Sequence, residues 1–152
     1  MPTYVCYTHR GQVAAAAKAE IAAGIAQIHH EFTGAPIAFT QCIFCDLNPS
    51  DHFIGGLPAP RDGVWGYGHI RTGRTASAKR HMLLGIQDLL RHVLKVSDSV
   101  VWVYLKELAH NDMVEFGRVL PEPGDEQAWM EDLPSGLRDH LISLDGGACR
   151  AH

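Results

Sequence analysis

Pro2 is the residue with the clearest chemical potential, because removal of Met1 exposes its secondary amine at the start of the chain. An α-amino group has a reference pKa of roughly 7.7 to 8, so it can act as an acid or as a base near neutral pH. A proline in second position can also have no role. The strand predicted to begin at Thr3 favours a catalytic interpretation, because a sheet would hold the proline nitrogen in place.

Arg71 and Arg74 flank the turn Thr72-Gly73, between a predicted strand and a predicted helix. Cations at a helix N terminus oppose the helix macrodipole, at a cost of roughly a few tenths of a kcal/mol for each exposed charge. An anion bound between the two guanidinium groups would account for their placement. The alternative is that both arginines face solvent or form ordinary ion pairs.

Three other polar side chains give weaker indications when each is considered alone. His29 lies at the edge of the apolar stripe of the first predicted helix, Tyr104 lies within a strand, and Glu115 follows an irregular segment. Their structural interpretations are a hydrogen-bonded histidine at the core edge, a packing aromatic ring and a solvated loop carboxylate. No function follows from any one of them.

The cysteines and histidines do not indicate a metal site. Cys42 and Cys45 form a single C-x-x-C without a second ligand pair at zinc spacing, and on a predicted strand they point to opposite faces. The sequence contains 10 histidines at irregular spacing. Adjacent His29 and His30 diverge by about 100° on a helix. We therefore expect buried strand cysteines, with Cys6 and Cys149 isolated, and neither metal nor cofactor.

The composition of the chain indicates which kinds of binding partner are not expected. The chain has 152 residues and a formal net charge of -4, with 46% hydrophobic and 20% charged residues, which is typical of one soluble globular domain. Lysine and arginine are scattered, so we expect binding neither to nucleic acid nor to an anionic membrane. No membrane span or signal peptide is evident, and we expect a cytoplasmic location.

The chain consists of two similar halves, residues 2–47 and 64–105. Each half contains a strand, an amphipathic helix and a second strand. The predicted elements are Thr3–Thr8, Val13–Thr33 and Ile37–Leu47, followed by Val64–Ile70, Ser77–Leu94 and Val100–Leu105. Two β-α-β units with right-handed crossovers predict an α/β (α+β) fold with a four-stranded sheet and two helices on one face. The other face then needs a cover, which favours oligomerisation.

The remaining segments are expected to complete a single domain over residues 1–152. The connection 48–63 is rich in Gly and Pro and contains HFI, a candidate minor strand. In the C-terminal extension, residues 106–152, we predict a loop or short strand over Met113–Pro123 and two short helical patches around Trp129 and Leu137. The tail DGGACRAH is expected to be mobile.

Read in chain order, several short motifs resemble the cis-3-chloroacrylic acid dehalogenase family of the tautomerase superfamily. They are the N-terminal PTYVCYT, a histidine at the end of the first helix, RTGR, WVY and MVEFGR, the last followed by LPEPG. The resemblance extends from Pro2 to the helical patch near Leu137. It implies a β-α-β-β-α-β protomer that assembles as a homotrimer.

The resemblance also implies residue roles and a small anionic substrate, an α,β-unsaturated carboxylic acid. Arg71 and Arg74 would bind its carboxylate with help from His29, which makes C3 more electrophilic. Tyr104 would orient a water molecule and Glu115 would take its proton, while the cationic N-terminal proline protonates C2. With chlorine on C3, the chlorohydrin collapses to malonate semialdehyde and HCl. Residues 35–39 are expected to border the substrate.

Three other functions are compatible with the same residues. A keto-enol tautomerase would use neutral Pro2 as a base, and it would leave Glu115 and Tyr104 with no water to activate. An acetylenic acid hydratase would use the same residues on a triple bond. A binding or signalling module on the same fold would make no use of the proline.

Overall fold

The computed structural model describes the chain from Pro2 to Ala148, and its side chains as far as Asp145. Its strands and helices alternate as two β-α-β units followed by an extension. They are β1 (Thr3–His9), α1 (Ala15–Thr33), β2 (Gln41–Leu47), β3 (Phe53–Ile54), β4 (Leu57–Pro58), β5 (Val64–Arg71), α2 (Ala76–Leu94), β6 (Val101–Leu108), β7 (Val114–Glu115), β8 (Arg118–Val119), α3 (Glu126–Glu131) and α4 (Ser135–Ala148). Short 3-10 helices cover Ile37–Phe39, Asp98–Val100 and His110–Asp112.

The main sheet has four strands in the order β2-β1-β5-β6. Strand β1 runs parallel to β2 and antiparallel to β5, and β5 runs parallel to β6. Val5 pairs with Ile43 on one side and with Tyr67 on the other, and Tyr67 pairs with Tyr104 on β6. Each parallel pair is joined through a helix, so the prediction of a doubled β-α-β unit in the α+β class is confirmed.

Helices α1 and α2 cover one face of this sheet. Alternate side chains of β1 and β5 point toward them and are buried, as the period of two in a strand requires. The two helices pack tightly at Gly24, where a Cβ atom would lie only 2.6 Å from a methyl group of Leu89. The core under the helices includes Tyr4, Ile21, Ile25, Ile70, Met82, Ile86 and Leu90.

The other face of the sheet carries a ladder of aromatic rings. Tyr7 stacks on Trp65 with ring centroids 5.0 Å apart, and Trp65 meets the edge of Tyr104 at 5.8 Å. On the edge strand β6, Trp102 is 43% exposed and Tyr104 is 48% exposed. The apolar side chains on this face therefore remain in contact with water in the single protomer.

The structure corrects several predicted boundaries. The strand expected over Ile37–Leu47 begins at Gln41, because Ile37–Phe39 form a 3-10 helix after Pro36. The segment HFI contributes β3, which pairs with β4, so the expected minor strand is confirmed. The first four residues of the tail continue α4 to Ala148, and Asp145 accepts a hydrogen bond from the Ala38 N–H at 2.7 Å; the mobility expected for the tail stays a prediction. Residues 149–152 lie outside the described residues.

Cys6 is buried, and Cys42 and Cys45 are partly buried; all three are free thiols, while Cys149 lies outside the described residues. Between Pro2 and Ala148, no group of three or more His, Cys, Asp or Glu side chains is placed to hold a metal ion. Of the helices in that same part of the chain, none has the length and apolar character needed to cross a bilayer.

Candidate active site

The R-T-G-R turn joins β5 to α2 and is held by a partly buried network of polar groups. Arg71 is the last residue of β5, and Gly73 adopts a φ of 97°, a conformation that disfavours side chains. The carboxylate of Glu107 on β6 accepts hydrogen bonds from Lys79 Nζ at 2.6 Å and from the backbone N–H groups of Gly73 and Arg74. The bond from Lys79 is the main reason why the pKa of Glu107 is lowered. The turn therefore has a defined geometry before any ligand binds.

His29 is held on α1 by a buried hydrogen bond. Its Nδ1 lies 2.8 Å from the hydroxyl of Tyr4 on β1, and both side chains are only 2% exposed. Gly68 on β5 makes this possible, because a Cβ atom there would lie 2.5 Å from the Tyr4 ring. Burial, and secondly the nearby charge of Arg74, lowers the pKa of His29 to about 3. His29 is therefore neutral at physiological pH.

A small cavity next to Pro2 brings four of the sequence-predicted residues together. Pro2, His29, Arg71 and Arg74 all line it, and its volume is about 30 Å³. Its other walls come from residues of the stretch 35–39 and from the C-terminal extension; they include Ala35, Pro36, Phe39, Leu120, Pro121 and Trp129. Pro2 is buried, and its carbonyl accepts a hydrogen bond from the Gln41 N–H at 3.0 Å.

The two arginines differ in their partners. Arg71 is 7% exposed; its Nη1 donates to the Pro121 carbonyl at 3.0 Å, and its Nη2 forms an ion pair with Glu126. Arg74 donates from Nη1 to the Thr33 carbonyl at 3.2 Å. Its buried Nε has no hydrogen-bond partner among the described residues. Burial, together with the charge of Arg71, lowers the pKa of Arg74.

Glu126 was missed in the sequence, although it faces the predicted anion site. Burial opposes its ionisation, but hydrogen bonds from Arg71 and from the backbone N–H of Gly124, at 2.8 Å, hold its pKa below the usual value. The carboxylate is therefore charged at neutral pH. The only sequence signal was a glutamate shortly after LPEPG, and such a residue is usually solvated.

Glu115 lines a second cavity, which lies on another side of Pro2. This cavity has a volume of about 750 Å³, and its lining includes Pro2, Thr3, Gln41, Asp112 and Glu115. Glu115 is the last residue of β7 and pairs with Arg118 across a hairpin. The sequence-predicted base is thus placed beside Pro2, on a different wall from the arginines.

Within one protomer, Tyr104 lies apart from the other five site residues that the sequence predicts. It lies on the aromatic face of β6, where it lines a cavity of about 450 Å³ together with Trp65, Trp102 and residues of β3. Neither cavity that contains Pro2 includes Tyr104 in its lining. The single chain therefore leaves Tyr104 separate from the candidate site.

Comparison with known proteins agrees with this architecture. Residues 1–132 match the family model Tautomerase_3, described as "Putative oxalocrotonate tautomerase enzyme". The crystal structure of N1, a member of the cis-3-chloroacrylic acid dehalogenase (cis-CaaD) family, is 34% identical with a TM-score of 0.88, covering 93% of this chain and 99% of that chain. No curated protein matches the sequence.

More distant structures share the fold alone. An F6 fused 4-OT wild-type asymmetric trimer is 20% identical with a TM-score of 0.72, covering 84% of this chain and 98% of that one. Pt0534 inactivated by 2-oxo-3-pentynoate is 16% identical with a TM-score of 0.70, covering 83% and 98% of the two chains. From the family match and the likeness to N1, the chain belongs to the Tautomerase_3 family of the tautomerase superfamily of enzymes.

Proposed function

We propose that the protein is a cofactor-independent hydratase and hydrolytic dehalogenase that acts on small α,β-unsaturated carboxylic acids such as cis-3-chloroacrylate. The observation that carries the proposal is the position of Pro2. It lies between a cavity lined by Arg71 and Arg74 and a second cavity lined by Glu115. A carboxylate binder, an acid and a base can thus act on one small molecule from different sides.

The small cavity lined by Arg71 and Arg74 is the proposed site for the substrate carboxylate. Arg74 is the principal donor, because its Nε has no partner among the described residues. Neutral His29 assists: when its Nδ1 accepts from Tyr4, the proton is on Nε2 and can be donated to a carboxylate oxygen. Compensation of the carboxylate charge withdraws electron density from the double bond, so C3 becomes more electrophilic.

The chemical step adds water across the double bond. Glu115 takes a proton from water, the resulting hydroxide oxygen bonds to C3, and protonated Pro2 gives its proton to C2. The product carries hydroxyl and chlorine on the same carbon. Loss of chloride and of the hydroxyl proton then forms the aldehyde, so the net products are malonate semialdehyde and HCl. This step needs Pro2 to be the first residue, because an amide nitrogen cannot carry the proton.

Tyr104 enters the site in the proposed homotrimer. The aromatic face of the sheet is uncovered in the protomer, with Trp102 and Tyr104 both more than 40% exposed. The fold is shared with a fused 4-OT described as a trimer. We propose that a second copy of the chain covers this face and that its own site receives the Tyr104 hydroxyl, which orients the attacking water.

A keto-enol tautomerase is the second candidate, favoured by the description of the matching family model. In that reaction neutral Pro2 moves a proton between oxygen and carbon, and no water is added. An acetylenic acid hydratase is a variant of the first candidate on a triple bond. A binding or signalling module would require none of these groups, and the grouping of Pro2, Arg71 and Arg74 in one cavity argues against it.

The decisive experiment compares hydration and ketonisation in wild type and in Glu115→Gln. Hydration of 3-haloacrylates or acetylenic acids should be abolished in the variant, while ketonisation of phenylenolpyruvate should largely persist because it needs no activated water. Glu131→Gln is the matched control, since Glu131 is exposed on α3. If Glu115→Gln hydrates these acids as fast as the wild type, Glu115 is not the water-activating base and keto-enol tautomerase becomes the proposed function.

The state of Pro2 is tested separately by mass spectrometry. Intact mass shows whether Met1 has been removed. Treatment with 2-oxo-3-pentynoate, the inactivator named for the fold relative Pt0534, should then add one molecule at Pro2. Addition elsewhere, or retained Met1 in an active preparation, would exclude the proline amine as the acid.

A further inference from the structure

Glu126 holds the guanidinium group that the substrate carboxylate was expected to bind. One carboxylate oxygen of Glu126 pairs with Arg71 Nη2, and the other accepts the Gly124 N–H at 2.8 Å. Arg71 Nη1 is engaged by the Pro121 carbonyl. Both terminal nitrogens of Arg71 thus already have acceptors from the C-terminal extension, so Glu126 acts as an internal carboxylate in the pocket.

The space next to this ion pair is small. A cavity of about 30 Å³ can hold a water molecule but not an organic acid. The Glu126 side chain is 40% exposed, in contrast to 7% for Arg71, so the carboxylate has a path to solvent. A substrate carboxylate must therefore move Glu126 aside or bind next to it on Arg74.

The charges in the pocket then determine which acids fit. Arg71 and Arg74 contribute two positive charges and Glu126 removes one, while His29 is neutral. In the proposed reaction, the charges of protonated Pro2 and ionised Glu115 offset each other. One positive charge is left for the ligand, which matches a monocarboxylate. A second ligand carboxylate would find no further free cation among the described residues that line the cavity, and it would meet the Glu126 carboxylate.

We propose that Glu126 is a specificity-determining residue that makes this pocket select monocarboxylates over dicarboxylates by neutralising Arg71. The inference rests on the proposed function, because it assumes that the pocket binds the substrate carboxylate. It predicts that loss of the Glu126 charge frees Arg71 to bind a second carboxylate. The selectivity comes from repulsion of the wrong ligand as well as from attraction of the right one.

The test is a ligand titration that does not depend on catalysis. Propionate and succinate, which cannot react, are titrated into wild type, Glu126→Gln, Glu126→Ala and the control Glu131→Gln, with dissociation constants taken from NMR chemical shifts. Both Glu126 variants should shift the affinity ratio toward succinate by roughly tenfold or more, since one negative charge near the site is removed. Glu131→Gln, on the same helix but bound to Gln127, should keep the wild-type ratio.

Three results would overturn the inference and can be told apart. An unchanged ratio in both Glu126 variants would mean that Glu126 does not select ligands by charge. An equal loss of affinity for both acids would mean that Glu126 only positions Arg71. Failure of wild type to bind either acid would refute the carboxylate site itself, and with it the proposed function; in the first two cases the proposed function would stand.

Discussion

Replacement of Arg74 by alanine tests the anion site most directly. Arg71 is already paired with Glu126, whereas Arg74 has a buried Nε with no partner among the described residues. A hydrogen bond to a charged group contributes about 1.5–3 kcal/mol. Loss of one such contact therefore corresponds to a fall in kcat/KM of roughly 10- to 150-fold, mostly through KM if binding is lost uniformly.

The assay is steady-state hydration of a small unsaturated acid by wild type and Arg74→Ala at fixed ionic strength. Arg80→Ala serves as the control, because Arg80 is an exposed residue of α2 and its removal changes the net charge equally. Arg80→Ala should retain wild-type kinetics. If kcat/KM is the same in Arg74→Ala and wild type, the substrate anion binds elsewhere and the assignment of Arg74 is wrong.

Three further predictions concern stability and assembly. Arg71→Ala should raise KM and also lower the denaturation midpoint, because it leaves the partly buried carboxylate of its ion pair without a partner; an unchanged midpoint would contradict this. The pKa of His29 falls from 6.5 in the unfolded chain to about 3 in the folded protein. The contribution of neutral His29 to the free energy of unfolding should therefore be fully present above pH 6.5 and should decrease by about 1.4 kcal/mol per pH unit as the pH falls toward 3. Denaturant titrations of His29→Gln should show a shallower slope, and exposed His140→Gln the wild-type slope. Trp102→Glu should dissociate the proposed homotrimer in sedimentation experiments, whereas Leu84→Glu, at an exposed site on α2, should not; a trimeric Trp102→Glu would place the subunit interface elsewhere.

The repeated strand-helix-strand pattern could be predicted because its signals are local. The alternation of buried and partly buried residues in β5 and the apolar stripe of α2 follow from periods of 2 and 3.6 residues. The boundaries were less accurate where a short-range signal was ambiguous. The apolar residues Ile37–Phe39 predict a strand, yet they form a 3-10 helix whose Phe39 packs against Leu133 and Leu141 of the C-terminal extension.

The resemblance of the short motifs to a known family identified the six candidate site residues, and the roles of these residues remain predictions. The order of Pro2, Arg71 and Glu115 in the chain suggests that they belong to one site. It does not show on which wall of the site each side chain lies. Only the fold places the proline between two cavities, because β1 lies next to β2 and β5 and the β7-β8 hairpin returns to the start of β1. Such proximity depends on many long-range contacts, none of which has a local sequence signal.

Local patterns along the chain are therefore sufficient to predict the doubled unit, its class and the motifs with their chemistry. The division of that chemistry between cavities and between faces of the sheet depends on how the elements pack. Glu126 meets Arg71 across 55 positions of the chain and reduces the charge available to a substrate. Tyr104 lies on the open face of the sheet, away from Pro2. Charge pairing and burial arise between distant segments, so they are set by how the elements pack rather than by spacing along the chain.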